Sequence, residues 1–242
     1  MRSFRFVTGV IAFCLLAGAG MAPVAASTAD PLARLGLTTS DFGGPIDNPY
    51  FPLTPGTTLY YAGLLGGVPL TDAFAVTHRT RMILGVKTVV VLDRGYSNGS
   101  LEESTLDYFA QSKDGTVWYF GEYTTQIKNG HVTGHVGSWI GGKKGALPGI
   151  IMEAHPRVGD TYNQENAAPV AEDAGSVMTT TASISVPFGT FNHKALETKD
   201  FSYIDPEIEN KYYGKGVGLL RTETRGSKST DFENLLIVVA GN

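Results

Sequence analysis

Residues 103–123 read E-S-T-L-D-Y-F-A-Q-S-K-D-G-T-V-W-Y-F-G-E-Y, two alternating segments separated by a tight-turn sequence. The segments 103–111 and 116–123 show the period of two that is typical of a β-strand, and they are rich in Thr, Val, Tyr and Phe. Asp114-Gly115 lies between them, and this dipeptide accepts the positive φ angles of a tight turn. The stretch therefore predicts an antiparallel β-hairpin.

Turn and strand signals of the same kind recur along most of the chain, which contains 30 glycines and 12 prolines. Asn129-Gly130 marks a second hairpin, whereas helix-period apolar patterns are nearly absent. The best helical signal covers residues 30–37, where Asp30 can cap and Pro31 occupies the first helical position. We expect an all-β fold: an antiparallel curved sheet of about a dozen strands, shaped as a barrel or half-barrel to limit open edges, with a short N-terminal helix.

The N-terminal segment has the pattern of a signal peptide. Arg2 and Arg5 precede an apolar run over residues 6–16, and small residues follow as far as Ala26. We expect cleavage of residues 1–26, which leaves 27–242 as a single secreted or periplasmic domain without stable membrane insertion. The only cysteine, Cys14, lies in the leader, so the mature protein would have no disulfide and no thiol nucleophile.

The charge of the chain argues against nucleic acid as a partner. Its 19 basic and 23 acidic residues give a formal net charge of −4, and removal of Arg2 and Arg5 makes it −6. There is no run of Lys or Arg that could follow a phosphate backbone. Phosphate-binding, dinucleotide-binding and Gly-x-Ser-x-Gly patterns are also absent, so the sequence predicts no cofactor. It leaves the oligomeric state open.

Six motifs occur in order over most of the mature chain: D-N-P-Y-F-P-L-T-P-G (47–56), T-L-D-Y-F-A-Q (105–111), V-W-Y-F-G-E (117–122), P-G-I-I-M (148–152), V-G-D-T-Y (158–162) and K-Y-Y-G-K-G-V-G (211–218). They resemble a family of exported bacterial proteins of unassigned activity. The segments V-P-F-G-T-F (186–191) and Y-Y-G-K-G-V-G-L (212–219) are distantly similar to LolA-like periplasmic carrier proteins. That second resemblance implies a curved antiparallel sheet around an apolar cavity, and it implies no activity.

Strand alternation predicts that Trp118, Phe120 and Glu122 share one face of the segment 116–123, the second strand of the Asp114-Gly115 hairpin. If the two rings pack inward, Glu122 points inward with them, and a carboxyl buried beside aromatic walls needs a cation or hydrogen-bond donors. Cavities in β-barrels are a common place for small ligands. We therefore expect Trp118, Tyr119, Phe120 and Tyr213 to contact a small, partly apolar ligand.

Charged side chains suggest an alternative hypothesis, in which the protein is an enzyme. Glu103 and Asp107 share one face of the first hairpin strand, and Lys211 alternates with Tyr213 near the end of the chain. Together with Glu122 they are candidates for the carboxylate or carboxylate–lysine site of a cofactor-independent hydrolase or lyase. The same groups suit polar contacts to a ligand or a structural ion pair. A third hypothesis is a protein that binds partners through its sheet edges without any small ligand.

The histidines give only weak candidates for a metal site. His131 and His135 are four residues apart, about 13 Å along a strand, which is too far for one metal unless a bulge intervenes. Glu153 and His155 could complete a zinc site with them. The sequence as a whole predicts that no metal is bound.

Overall fold

The structure, a computed structural model, describes residues 30–204, 206–225 and 231–241. The predicted signal peptide, its cleavage site and Cys14 lie outside these residues. In the described part of the chain, two short 3₁₀ helices (Ala33–Leu35 and Thr39–Asp41) precede fourteen strands. The strands are β1 (Thr58–Leu65), β2 (Val68–Ile83), β3 (Val86–Ser97), β4 (Ser100–Gln111), β5 (Val117–Lys128), β6 (His131–Gly134), β7 (Trp139–Ile140), β8 (Gly149–Met152), β9 (Thr161–Asn163), β10 (Asp173–Val186), β11 (Gly189–Ser202), β12 (Ile208–Gly214), β13 (Gly218–Arg225) and β14 (Asp231–Val239).

The strands form a single curved antiparallel sheet, which confirms the predicted all-β class. Its hydrogen-bonded order is β6-β5-β4-β3-β2-β1-β14-β13-β12-β11-β10-β9, and β7 and β8 also pair with β5. Neighbours in this order are successive along the chain except where β1 pairs with β14. β1 and β14, the first and last of the described strands along the chain, therefore join the two halves of the sheet, and among the described residues the hydrogen-bonded path does not close into a ring.

The predicted hairpin is present as β4 and β5. Its turn contains Gly115 at a φ of 97°. The Asp114 carboxylate accepts hydrogen bonds from the Ser112 hydroxyl (2.5 Å) and the Thr116 backbone N–H (3.0 Å). The turn residues thus fix the register that places β4 beside β5.

The two ends of the strand order approach each other because the sheet is strongly curved. β8, which pairs with β5, lies against β9 from the opposite end, and Leu147 and Asn166 form a β-bridge beside this contact. Gly149 packs so closely on the Gln164 carbonyl that a Cβ at this position would overlap with it. The curvature therefore gives the sheet a concave face on which side chains from distant strands can meet.

The larger apolar core occupies one part of the concave face. Phe51, from the segment that precedes β1, packs edge-on against Phe74 and Phe109, with ring centroids 6.4 and 5.3 Å apart. Phe109 in turn stacks on Tyr119 at 4.8 Å. Burial of such rings stabilises the fold by about 25 cal/mol for each Å² removed from water.

A smaller apolar core lies on the convex face of β2–β5. Leu32 and Phe42, from the N-terminal segment, cover it, and the Phe42 ring meets Phe120 edge-on at 5.4 Å. The helix predicted over residues 30–37 is reduced to the 3₁₀ turn Ala33–Leu35, which ends at Gly36 with a φ of 72°. Neither helix in the described residues is long and apolar enough to cross a membrane.

Candidate functional site

A β-bulge in β5 determines which side chains enter the concave face. Tyr108 of β4 lies opposite Gly121, whereas the next residue, Phe109, lies opposite Tyr119, so Phe120 is an extra residue on β5. Gly121 has a φ of 134°, and a Cβ at this position would lie 2.9 Å from the Ile140 Cα. Only glycine fits there without strain, and the bulge reverses the alternation between Tyr119 and Glu122.

The bulge corrects the prediction that Trp118, Phe120 and Glu122 share a face. Trp118 and Phe120 pack in the convex core, and the Trp118 Nε1–H donates to the Ser112 hydroxyl at 3.0 Å. Glu122 instead lies on the concave face, where only 1% of its surface is exposed. Its aromatic neighbour there is Tyr119. Of the four predicted ligand contacts, Tyr119 and Tyr213 belong to the concave core and the other two do not.

Carboxylates from four adjacent strands gather on the concave face beside the aromatic core. Asp72 lies on β2, Asp93 on β3, Asp107 on β4 and Glu122 on β5, and the last two face each other across the ladder. With Glu103 they line a cavity of about 10 Å³. That volume is roughly enough for one water-sized group.

Tyr119 lies between two of these carboxyl groups. Its hydroxyl is 2.5 Å from Asp107 Oδ1 and 3.0 Å from Glu122 Oε2. A phenol has one proton to donate, so it cannot satisfy both oxygens in full when both groups are ionised. The arrangement therefore favours an additional proton or cation in this cluster of carboxyl groups.

Three buried carboxylate oxygens in the cluster lack donors among the residues that the structure describes: Asp107 Oδ2, Asp72 Oδ1 and Asp93 Oδ1. Asp107 and Asp72 are 2% and 9% exposed. Both residues line the small cavity. A buried carboxylate oxygen without a donor is costly, because it has lost its water without replacement.

Burial favours the protonated form of carboxyl groups in this cluster. Burial raises the pKa of Asp107 to about 7, and the nearby charge of Asp93 adds to this effect. Burial also raises the pKa of Asp72 well above its ordinary value, as do the charges of Asp93 and Glu233. Asp72 and Asp93 hydrogen-bond to each other, which requires a proton on one of them.

The acidic lining continues across the concave face. A second cavity, of about 20 Å³, is bordered by Glu209, Asp231 and Glu233 together with Leu65 and Leu70. Burial raises the pKa of Glu233 to about 8, with a further contribution from the charge of Asp93. The acidic region therefore extends from β5 through β2 to β14 and β12.

Lys211 is buried in this region, and it forms ion pairs with one carboxylate on β11 and one on its own strand, β12. Its Nζ lies 2.9 Å from Asp200 Oδ2 and 3.4 Å from Glu209 Oε2. Although burial opposes the charge, these two carboxylates hold the pKa of Lys211 well above its ordinary value. Glu103, Asp107 and Glu122 share the first cavity, whereas Lys211 is not one of its lining residues. A catalytic pairing of Lys211 with them stays a prediction.

The candidate metal-binding histidines lie at the surface. His131 and His155 are exposed, and His135 is exposed with its ring stacked on Tyr123 at 4.7 Å. Among residues 30–204, 206–225 and 231–241, no group of three or more His, Cys, Asp or Glu side chains has an arrangement that could hold a metal ion.

Sequence analysis missed Asp72, Asp93 and Glu233 as members of the acidic region. The alternating segments 73–82 and 86–93 also predict a pair of strands; the first begins one residue after Asp72, and Asp93 is the last residue of the second. Alternation extended by a few residues would have placed Asp72 on the face of Phe74 and Asp93 on the face of Val91. No local pattern brings Glu233 beside them, since that depends on the pairing of β1 with β14.

Comparison with known proteins gives distant structural likenesses. No protein-family model and no curated protein sequence matches the chain. It is similar to an inferred exported protein with a YmcC-like fold from Bacteroides fragilis NCTC 9343, with 14% identity, a TM-score of 0.44, and 78% of this chain and 98% of that chain covered. It is also similar to an inferred lipoprotein from Parabacteroides distasonis ATCC 8503, with 14% identity, a TM-score of 0.40, and coverage of 80% and 100%. At these values the likenesses assign no activity.

Proposed function

We propose that the protein is exported and binds a small organic cation with a partly apolar body on its concave face. The predicted signal peptide supports export. The buried acidic cluster supports the charge of the ligand. The observation that carries the proposal is the pair of buried oxygens, Asp107 Oδ2 and Asp72 Oδ1, which line one cavity without donors among the described residues.

A primary ammonium group matches the chemistry of this cavity. It carries three N–H donors and one positive charge, so it can donate to both carboxylate oxygens at once. It is about the size of a water molecule, which is the size of group that the cavity beside Asp107 admits. A cation there also allows Tyr119 to donate to one carboxylate while the ammonium serves the other.

The neighbouring rings account for the apolar part of the ligand. Phe74, Phe109 and Tyr119 lie in the concave core next to the acids, and Tyr61 is close enough for the charges of Asp72 and Asp93 to raise its pKa, after burial as the main cause. Aromatic walls contribute both apolar contact area and attraction for cations. The cavity holds one water-sized group and these rings are buried, so binding requires the rings to move apart around the hydrocarbon chain of the ammonium.

Isothermal titration calorimetry with hexylammonium at pH 7.5 tests the proposal. We expect saturable binding of hexylammonium and none of hexanol, which has the same chain without the charge. Asp107→Asn is expected to weaken binding at least about 30-fold, because it removes one partner of a buried charged hydrogen bond.

Glu102→Gln is the matched control, since Glu102 is adjacent to the site on β4 but lies outside the cavity lining. Its affinity for hexylammonium should equal that of the unmodified protein. Equal binding of hexanol, or equal losses from Asp107→Asn and Glu102→Gln, would refute the acidic cavity as the binding site.

A further inference from the structure

A basic groove lies on the opposite, convex face of the same strands. It has a volume of about 420 Å³ and is lined by β2, β3, β4 and β5. Two arginines, Arg79 and Arg81, lie on its β2 side, and Val90, Leu106 and Tyr123 supply its apolar surface. The groove is separate from the acidic cavity and takes no part in the proposed binding of a cation.

An irregularity in β2 lies beside the groove. Between two ladder positions β2 advances from Val76 to Thr80, while β3 moves only from Val91 to Val89, so β2 carries two extra residues. The Thr77 hydroxyl stabilises the irregularity by donating to the Val90 carbonyl at 2.5 Å. Two extra residues leave the alternation of β2 unchanged, so Arg81 shares the convex face with Ile83, and Arg79 lies within the irregularity itself.

Arg81 is held in place by a buried tyrosine. Its Nη1 donates to the Tyr108 hydroxyl at 2.7 Å, and its guanidinium carbon lies 4.7 Å from the centre of the Tyr108 ring. Tyr108 is 2% exposed, so its position is fixed by the convex core. No described residue accepts the proton of the Tyr108 hydroxyl.

The positive charge of the groove has no counter-charge in the described part of the chain. No carboxylate of a described residue forms an ion pair with Arg79 or Arg81. Two guanidinium groups and one phenolic O–H are therefore available as donors beside an apolar wall. Guanidinium groups bind planar oxyanions through paired hydrogen bonds. These charge-assisted bonds are stronger than hydrogen bonds between neutral groups.

We infer that this groove is a second binding site, specific for a small organic anion that joins an oxyanion to a flat apolar body. The oxyanion accepts from Arg81, Arg79 and the Tyr108 hydroxyl. The body lies against Leu106 and the ring of Tyr123, which is 44% exposed. A bare inorganic anion would make no contact with this apolar wall. A neutral ligand would form no ion pair with the two arginines.

Equilibrium dialysis with 2-naphthoate, detected by its own fluorescence, tests this inference, and uncharged 2-naphthamide serves as the ligand control. We expect saturable binding of the carboxylate and at least tenfold weaker binding of the amide. Arg81→Gln should weaken naphthoate binding at least about tenfold. Tyr108→Phe keeps the ring in the core and removes only the hydroxyl, and it should weaken binding about threefold to tenfold.

Two further variants keep the test specific. Arg94→Gln removes an exposed arginine of β3 that does not line the groove, so it should bind naphthoate normally. Asp107→Asn, in the acidic cavity, should also bind it normally. The inference is overturned if naphthamide binds as well as naphthoate, if Arg94→Gln loses as much affinity as Arg81→Gln, or if only Asp107→Asn affects binding.

Discussion

The placement of Glu122 depends on its neighbour Gly121, whose backbone adopts a φ that side chains rarely permit. The bulge at this glycine turns Phe120 outward to the convex core and Glu122 inward to Tyr119. A β-branched or bulky residue here would favour regular alternation and would turn the carboxylate away from Asp107. The backbone conformation of Gly121 thus determines that the Glu122 carboxylate lies on the concave face.

Gly121→Ala is expected to lower the free energy of unfolding by about 3 kcal/mol, from backbone strain together with overpacking against Ile140. Urea denaturation measures the change. Gly134→Ala is the control, because a Cβ there meets its nearest neighbour, Gln126 Oε1, at an ordinary 3.4 Å. A loss at Gly121 no larger than at Gly134 would contradict the role given to the bulge.

Asp107 should make the unliganded protein less stable as the pH rises. Its pKa is raised to about 7 in the fold, against an ordinary value near 4, so the unfolded chain loses this proton first. Stability is therefore lost between about pH 4 and pH 7, at up to about 1.4 kcal/mol per pH unit for this group. Below that window Asp107 is protonated in both states and contributes no dependence.

Asp107→Asn is expected to remove this contribution to the slope of unfolding free energy between pH 5 and pH 7. Denaturant titrations at several pH values measure the slope. Glu102→Gln should leave it unchanged. If Asp107→Asn leaves the slope as it is in the unmodified protein, Asp107 does not hold a proton in the folded state.

Strand elements and turns are the part of the structure that local sequence predicts well. Alternation and Asp114-Gly115 predicted the β4–β5 hairpin, because both signals depend on residues close together in the chain. The bulges at Phe120 and near Thr77 were not predicted, since an extra residue leaves the composition of a strand unchanged. The one-residue bulge at Phe120 reverses the faces beyond it, so Glu122 is buried beside Tyr119 and not beside Trp118 and Phe120 as regular alternation predicted.

The ion pair that joins β11 to β12 is another prediction at this level. Lys211 and Asp200 are buried, and Asp200 also accepts from Thr198 (2.7 Å) and Gln164 (3.0 Å). Burial opposes ionisation, but Lys211 and these donors lower the pKa of Asp200. Asp200→Asn leaves a buried lysine without one of its partners and should cost about 3 kcal/mol of unfolding free energy.

Glu223→Gln is the matched control for that loss. Glu223 pairs with Arg221 at 2.6 Å, but both side chains are partly exposed. Solvent screens such a pair, so the change should cost less than about 1 kcal/mol in the same denaturation experiment. Similar losses in the two variants would show that burial does not distinguish the two pairs.

Curvature of the whole sheet brings the acidic side chains together. The curved antiparallel architecture was predictable from the number of short strands, because many strands must curl to protect their edges. The pairing of β1 with β14 and the contact of β8 with β9 were not, since they join segments far apart in the chain. These long-range contacts place Glu233 and Glu209 on the same concave face as Asp107.

A carboxyl ¹³C NMR titration of Asp107 is the most direct test of the proposed cation site. The Asp107→Asn variant assigns the resonance. We predict a titration midpoint near 7 in the free protein. Saturating hexylammonium should lower the midpoint by at least about one pH unit, because a neighbouring cation favours the ionised carboxylate. A midpoint near 4 in the free protein, or one that hexylammonium does not move, would contradict the proposed cation site.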